Sequence, residues 1–245
     1  MPKFRSLGKF LGSFIFTTSL SLLIIAISLA EITSYENMKP VFVGLAGEKI
    51  LEGDAAKLAE LHSQLAKSCE GKESIEIPTG SENIDVKCAD VISSTPENTG
   101  NVIATAMFDK VYYKKYNCNF IECIQLGGEN LMVVASSTGN KFFQDSILYL
   151  SITTVLGVVI VFVLNETYAL RLKAVGKDCI GVGAMVFLIL LTNFVVPSFV
   201  PAELLPKISG FLNFVENSIM IRFAVVLVIG IVLFVIGFLI GRKGD

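Results

Sequence analysis

Residues 147–164 read ILYLSITTVLGVVIVFVL, and this stretch holds no charged residue. An α-helix rises about 1.5 Å per residue, so roughly 20 apolar residues cross the hydrocarbon core of a bilayer. A helix also satisfies its own backbone polar groups in lipid. Three other uncharged stretches of similar length occur at Phe10–Ala30, Cys179–Val200 and Phe223–Gly241. The sequence therefore predicts four transmembrane helices.

The composition agrees with a membrane protein. Hydrophobic residues make up 53% of the chain and the mean hydropathy is +0.67, which is too apolar for a protein dissolved in water. The formal net charge of -2 is unevenly spread, because residues 31–145 hold 17 acidic and 10 basic residues. Nucleic-acid surfaces need a concentrated field of Lys and Arg, and the sequence has no such field outside the membrane ends. We therefore exclude nucleic acid as a partner.

Basic residues at the ends of the uncharged stretches predict their direction, because short positively charged loops stay in the cytoplasm. They occur before the first stretch, between the second and third, and after the fourth. These residues are Lys3, Arg5 and Lys9, then Arg171, Lys173 and Lys177, and finally Arg242 and Lys243. Both termini of this multi-pass cell-membrane protein are thus expected in the cytoplasm.

A competing interpretation concerns the first stretch. Phe10–Ala30 follows a basic segment and ends in Ser28-Leu29-Ala30, which is similar to the cleavage site of a secretory signal. Cleavage there would leave three spans. The apolar run is longer than the usual apolar region of a signal peptide, so we favour an uncleaved anchor.

These spans divide the chain into three parts. Residues 1–32 comprise the N-terminus and first transmembrane helix, residues 33–145 form an extracytoplasmic domain, and residues 146–245 hold the other three spans. Near residues 206–220, apolar and polar residues alternate at helical spacing, which predicts an external amphipathic helix. The predicted fold class is a membrane all-α protein with four transmembrane helices and a small α+β extracytoplasmic domain inserted between helices 1 and 2.

The extracytoplasmic domain has patterns of both helix and strand. Apolar residues at spacings of three and four predict helices over 48–68 and 102–113. Alternating stretches at 74–77 and 84–88 surround a turn that contains Pro and Gly, as in a β-hairpin. A further strand is expected at 131–135. The domain should therefore pack helices on a small sheet.

Four of the five cysteines, Cys69, Cys88, Cys118 and Cys123, lie in this domain. An even number of cysteines in a small extracytoplasmic domain indicates disulfides. Of the three pairings we favour Cys69 with Cys88, and Cys118 with Cys123, as structural bonds. A redox role for Cys118 and Cys123 stays open, although thioredoxin-like chemistry uses two intervening residues rather than four. A zinc site would need a second close pair, so no metal or other cofactor is expected.

Aromatic and basic residues cluster just before the Cys118–Cys123 loop. Such residues favour partner surfaces, and they equally favour a domain core or the headgroup layer. The candidate interaction patch consists of Tyr112, Tyr113, Lys114, Lys115, Tyr116 and Phe120.

The membrane stretches themselves give little indication of transport. Pumps and transporters keep ionisable residues inside the bilayer, and the four stretches contain none. Asp178 and Arg222 are assigned to span ends. An ion or small-solute pathway would then require several copies of the chain.

No catalytic or cofactor-binding motif occurs in the sequence. We therefore expect a non-enzymatic integral membrane protein whose extracytoplasmic domain mediates binding, scaffolding or self-association. Its expected partners are the lipid bilayer and a protein or a second copy of the chain. The alternatives are a membrane thiol-disulfide oxidoreductase and an oligomeric small-solute or ion pathway.

Overall fold

A computed structural model describes residues 2–51, 55–79, 82–188 and 205–243. The chain divides into two compact units. The bundle unit comprises Met1–Ala30 and Phe143–Asp245, and the inserted unit comprises Glu31–Phe142. The inserted unit is thus continuous in sequence, whereas the bundle unit is assembled from both ends of the chain.

Helices dominate both units, and the strands form one hairpin in the inserted unit. The helices are α1 Pro2–Ile32, α2 Tyr35–Leu51, α3 Ala55–Ser68, α4 Cys88–Ser93, α5 Thr99–Tyr112, α6 Phe120–Leu126, α7 Ser137–Leu164, α8 Tyr168–Gly183 and α9 Leu205–Lys243. The strands are β1 Ser74–Thr79 and β2 Glu82–Lys87, and 3-10 helices occur at Pro96–Asn98 and Gly128–Ala135.

Three helical stretches of the bundle unit are long and apolar enough to cross a membrane. They are Ser6–Ile32 in α1, Ser137–Leu164 in α7 and Val215–Arg242 in α9. Large apolar side chains on these helices are exposed, including Phe10 at 67% and Val163 at 70%. Water would hydrate this surface unfavourably, whereas lipid tails would cover it. Three of the four predicted membrane stretches are therefore confirmed as candidate spans.

The structure describes only the first part of the third predicted stretch, Cys179–Val200. Residues 189–200 lie outside the described residues. The helix that enters this region, α8, begins at Tyr168, so it includes Arg171, Lys173 and Lys177. The sequence predicts that those three residues lie on the cytoplasmic side between two spans. The structure places them in a helix, and their side of the membrane stays a prediction.

Close packing of glycines explains where α8 lies. A Cβ atom at Gly176 would lie 2.5 Å from the backbone nitrogen of Phe234, and one at Gly183 would lie 2.5 Å from that of Leu227. The absent side chains allow the backbones of α8 and α9 to approach each other closely. Helix α8 consequently packs along the apolar half of α9 rather than turning away from it.

Helix α9 is continuous from Leu205 to Lys243. The segment predicted as an external amphipathic helix, residues 206–220, therefore joins the fourth uncharged stretch without a turn. Pro206 stands in the first turn of α9, where a missing backbone N–H breaks no intrahelical hydrogen bond. No proline follows it before the helix ends.

Helix α1 packs against the other helices of the bundle unit. It lies antiparallel to α7, because Gly12 approaches Ile160 and Phe16 approaches Gly157. Two buried clusters extend these contacts to α8 and α9. The clusters are Phe16, Val161, Val175 and Cys179, and Ile24, Val182, Val186 and Phe223.

The predicted hairpin and two helices are confirmed in the inserted unit. Strands β1 and β2 pair antiparallel, with Ile75 opposite Val86 and Ile77 opposite Ile84. Helix α3 covers the later part of the predicted helix 48–68, and α5 matches the prediction at 102–113 within a few residues. Their apolar faces share one core with the hairpin. Its buried members are Leu65, Cys69, Ile75, Ile84, Val86, Cys88, Val91 and Ile103.

The strand predicted at 131–135 is wrong, because these residues form the 3-10 helix Gly128–Ala135. Gly127 and Gly128 both adopt positive φ angles, of 66° and 59°, which glycine tolerates at little cost. They reverse the chain immediately after α6. The following apolar residues then coil tightly, and Val133 becomes fully buried.

Candidate functional site

The two cysteine pairs lie at disulfide distance in the pairing that the sequence favoured. The Cα atoms of Cys69 and Cys88 are 5.3 Å apart, and those of Cys118 and Cys123 are 5.4 Å apart. Both members of the first pair are buried, and Cys123 of the second is fully buried. Thiol–disulfide exchange requires attack by an outside thiolate on an accessible sulfur. Burial therefore favours a structural role for both bonds.

The second disulfide is part of a rigid turn that presents α6. Asn119 precedes α6 and accepts a hydrogen bond from the backbone N–H of Glu122 at 2.9 Å, while the Glu122 carboxylate accepts one from the Asn119 N–H at 3.1 Å. This capping box satisfies two backbone donors that a helix start leaves unpaired. A bond between Cys118 and Cys123 closes the same turn. The short helix is thus held at its first residues by three local interactions.

The predicted interaction patch does not form one surface. Tyr112 is buried, and its hydroxyl donates to the Thr33 carbonyl at 3.2 Å. The Tyr116 hydroxyl is buried, with no hydrogen-bond partner among the described residues. Phe120 stacks on Phe142 with ring centroids 4.2 Å apart. The exposed members are Tyr113, Lys114 and Lys115.

Tyr35 lies at the centre of an aromatic cluster that the sequence did not reveal. Its ring contacts Phe108 and Tyr112 at centroid distances of 5.6 and 5.4 Å. Its hydroxyl donates to Asp109 Oδ1 at 2.6 Å and accepts from Lys39 Nζ at 3.1 Å. The Asp109 hydrogen bond, followed by burial, raises the pKa of Tyr35 above 10.0. This cluster joins α2 to α5, so it is a structural centre rather than an open site.

An exposed apolar surface lies on α6 and the 3-10 helix that follows it. These two elements contact each other. Five large apolar side chains on them are between 40% and 69% exposed, although the elements are anchored by the buried Cys123 and Val133. We call this set the α6 surface. It consists of Ile121, Ile124, Leu126, Leu131 and Met132.

The inserted unit has surface pockets. One of about 430 Å³ is lined by Lys39, Asp90 and neighbouring small polar residues. The single histidine, His62, places Nε2 at 3.2 Å from the Val91 carbonyl and 3.1 Å from that of Ser94. These contacts make His62 a structural residue. Within the described ranges, no group of three or more His, Cys, Asp and Glu side chains could hold a metal ion.

Two charged residues assigned to span ends make hydrogen bonds inside the bundle unit. Asp178 Oδ1 accepts from Ser13 Oγ at 2.6 Å. Arg222 donates from Nη1 to Ser28 Oγ at 3.0 Å and to the Ser218 carbonyl at 2.9 Å. Sequence reasoning missed both because each residue borders an uncharged stretch. The serines of α1 were the available signal, since their hydroxyls can pair with charges on neighbouring helices.

Comparison with models of protein families, with curated proteins and with solved structures finds no match to this chain. Its own features define the class to which it belongs. It is a mostly helical chain with three helices able to cross a membrane and an inserted unit with a hairpin and two cysteine pairs at disulfide distance. The features are those of a membrane protein with a separately folded insertion.

Proposed function

We propose that this chain is a non-enzymatic membrane protein whose inserted domain lies outside the cell membrane and binds a partner protein through the α6 surface. The proposed topology has four spans, with both termini in the cytoplasm. The third proposed span, Cys179–Val200, begins within α8, and its residues 189–200 lie outside the described residues. The basic residues at the start of α1 and at the end of α9 support this orientation, because positive segments stay inside.

The exposure of the α6 surface is the observation that carries the proposal. Burying one large apolar side chain contributes roughly 1.5–3 kcal/mol, so five exposed ones on adjacent short elements are costly in water. Large apolar side chains exposed on two elements in contact are typical of interaction sites. The disulfide and capping box at the start of α6 also reduce the entropy lost on binding, because they order the backbone beforehand.

Charge indicates what kind of partner would bind there. The segment 118–140 contains Glu122 and Glu129 but no Lys or Arg, and residues 31–145 carry a net charge of -7. Interfaces pair opposite potentials around their apolar centres. The proposed occupant is therefore a separate protein with an apolar contact patch and a basic rim. An anionic membrane surface is a poorer match for this acidic segment.

Site-specific photo-crosslinking in native membranes tests the proposal. A photo-crosslinking amino acid replaces Leu126 or Leu131 on the α6 surface, and matched controls replace Glu60 or Lys67 on the exposed face of α3. We expect one discrete protein adduct at the two α6-surface positions and none at the controls. The adduct yield should fall as salt is added, because salt screens the basic rim.

Three outcomes would contradict the proposal. Equal adducts at the α3 positions would show that labelling is indiscriminate. Adducts with lipid alone would indicate that the α6 surface rests on the membrane. An adduct composed of two copies of this chain would indicate self-association instead of a separate partner.

A further inference from the structure

Asp178 is a half-buried carboxyl group whose hydrogen bonding is incomplete. One oxygen, Oδ1, accepts from Ser13 Oγ at 2.6 Å. The other, Oδ2, is buried, and none of the residues that the structure describes forms a hydrogen bond with it. Buried charged groups are normally paired, because a carboxylate loses its hydration when it leaves water. This carboxyl group therefore requires an explanation.

The helices around Asp178 are those that can cross a membrane. Ser13 belongs to the candidate span Ser6–Ile32. The residue after Asp178, Cys179, packs against Gly230, where a Cβ atom would lie 2.8 Å from that of Cys179. Gly230 lies near the centre of the candidate span Val215–Arg242. In a bilayer, Asp178 would consequently lie inside the bundle and within the thickness of the membrane.

The surroundings of Asp178 favour a neutral carboxyl group. Burial favours the neutral form of Asp178, and it outweighs the opposing charge of Lys177, which is exposed. Cys179 on the same helix is a buried thiol. Helix α9 presents Gly230 and Phe234 to this part of α8, and neither is charged. An intramembrane carboxylate without a partner is costly, and binding a proton removes the charge.

A metal cation is a poorer explanation than a proton. Hard cations such as Ca²⁺ and Mg²⁺ take six or more oxygen ligands. The described contacts supply the Asp178 carboxyl and the hydroxyl of Ser13, whose own carbonyl already accepts from Thr17 Oγ1 at 2.9 Å. A proton needs no further ligand, because a carboxylic O–H can donate to the Ser13 hydroxyl oxygen.

A groove lies near this pair in the bundle unit. It has a volume of about 460 Å³ and lies between α1 and α8, one helical turn beyond Ser13 and Asp178. Hydroxyl groups of α1 form one wall, and the small or apolar residues of α8 form the other. The hydroxyl residues are Thr17, Thr18 and Ser21.

We propose that Asp178 and Ser13 form a proton-binding site inside the helical bundle, at which the carboxyl group is protonated at neutral pH. The proposal needs the bundle to lie in a membrane, but it does not depend on the partner proposed for the α6 surface. It revises the view that this chain holds no ionisable group within its membrane region.

Labelling with dicyclohexylcarbodiimide tests the site in the full chain. This apolar reagent reacts with protonated carboxyl groups in apolar surroundings, and the modified peptide is identified by mass spectrometry. The protein is reconstituted in phosphatidylcholine vesicles and labelled across a pH series in choline chloride. We expect Asp178 to be modified at neutral pH and to lose reactivity as the pH rises, while exposed Asp85 and Glu122 stay unmodified.

Two comparisons make the result specific. Ser13→Ala removes a donor that favours the ionised carboxylate, so the pH midpoint of labelling should rise by about one unit. The control Thr153→Ala removes a hydroxyl that donates to backbone carbonyls of its own helix, α7, and it should leave the midpoint unchanged. Unmodified Asp178 throughout the pH series would overturn the proposal. Protection by sodium chloride, absent in choline chloride, would also overturn it, because it would indicate a metal-cation site.

Discussion

Single side chains link the helices of the inserted unit, and Tyr35 shows how. Its hydroxyl donates to Asp109 on α5 and accepts from Lys39 on α2, one turn away. Because a hydrogen bond to a charged partner contributes more than a neutral one, this contact is a substantial part of the α2–α5 junction. The sequence offered no signal for it, since Tyr35 and Asp109 are far apart along the chain.

The raised pKa of Tyr35 predicts how this contact depends on pH. The folded protein favours the neutral phenol, so the stabilisation is fully present below pH 10.0 and is lost as the pH rises through the folded pKa. Lys39, whose pKa is also raised by Tyr35, loses its favourable charge in the same direction. Tyr35→Phe should lower the free energy of unfolding by about 1 kcal/mol at neutral pH.

Chemical denaturation of the full chain at several pH values measures this effect. The variant should show a weaker decline above pH 10.0 than the unmodified protein. The matched control is Tyr113→Phe, because Tyr113 is 58% exposed. An equal loss of stability in both variants would refute the role assigned to the Tyr35 hydroxyl.

The two disulfides should contribute different amounts to the free energy of unfolding. Their sequence separations are 19 for Cys69–Cys88 and 5 for Cys118–Cys123. Loop-closure entropy then assigns about 3 kcal/mol to the longer loop and about 2 kcal/mol to the shorter one. Replacing both cysteines by Ala should lower the free energy of unfolding more for the Cys69–Cys88 pair than for the Cys118–Cys123 pair.

Thermal unfolding of the two double variants, compared with the unmodified protein, measures the order. The same samples test the redox alternative. Alkylation under mild reductant should leave both native pairs unmodified in the folded protein. If Cys118 and Cys123 cycled readily between thiol and disulfide, the structural interpretation would be wrong.

The sequence predicts a helix or strand correctly where its local pattern agrees with the way the element packs in the fold. The hairpin alternates apolar residues, and its Ile75, Ile84 and Val86 are buried, so pattern and packing point to the same structure. Residues 131–135 lack that agreement: a short apolar run suits strand or helix, and the positive φ angles of Gly127 and Gly128 decide between them. The capping signal of α6, Asn119 followed by Glu122, was present in the sequence but was not used.

No hydropathy pattern could have indicated the contact between α8 and α9. Its determinants are glycines at seven-residue spacing, Gly176 and Gly183 on α8 and Gly230 and Gly237 on α9, each with backbone atoms of the other helix within 3 Å of the position of a Cβ atom. Such spacing places both glycines on one face. The same contact brings a charged residue beside an apolar one: Lys173 Nζ lies 5.2 Å from the Phe238 ring centroid.

Adding one methyl group should separate these two helices. Gly176→Ala would place a Cβ atom 2.5 Å from the Phe234 nitrogen, and overpacking of this kind costs about 1–3 kcal/mol. Gly181→Ala on the same helix is the matched control, because no described atom lies within 4 Å of its Cβ position. Thermal unfolding in detergent should show a lower midpoint for the first variant alone. A midpoint for Gly176→Ala equal to that of the control would mean that the contact does not hold the bundle together.

At the level of the whole molecule, charge is divided between the two parts of the chain. Residues 31–145 carry a net charge of -7, while the remainder is positive. The proposed topology keeps the acidic insertion outside and the basic ends of the chain inside, in agreement with the charge rule for membrane proteins. Asp178 is one of the acidic residues outside the insertion, and its side chain accepts a hydrogen bond from Ser13 of α1.

The sides on which the two termini lie show whether the number of membrane crossings is even or odd. An even number places both termini on one side of the membrane, and three crossings would place them on opposite sides. We expect four, because α8 already packs along the candidate span Val215–Arg242 and the uncharged stretch continues beyond it.

Epitope tags at the two termini, challenged with protease in vesicles of known orientation, measure the number of crossings as even or odd. Both tags should be digested in inside-out vesicles and protected in right-side-out ones, whereas the inserted unit should show the opposite pattern. Tags digested from opposite sides would reject four spans. Digestion of the inserted unit in inside-out vesicles would reject the extracytoplasmic location that the α6 surface needs to meet its partner.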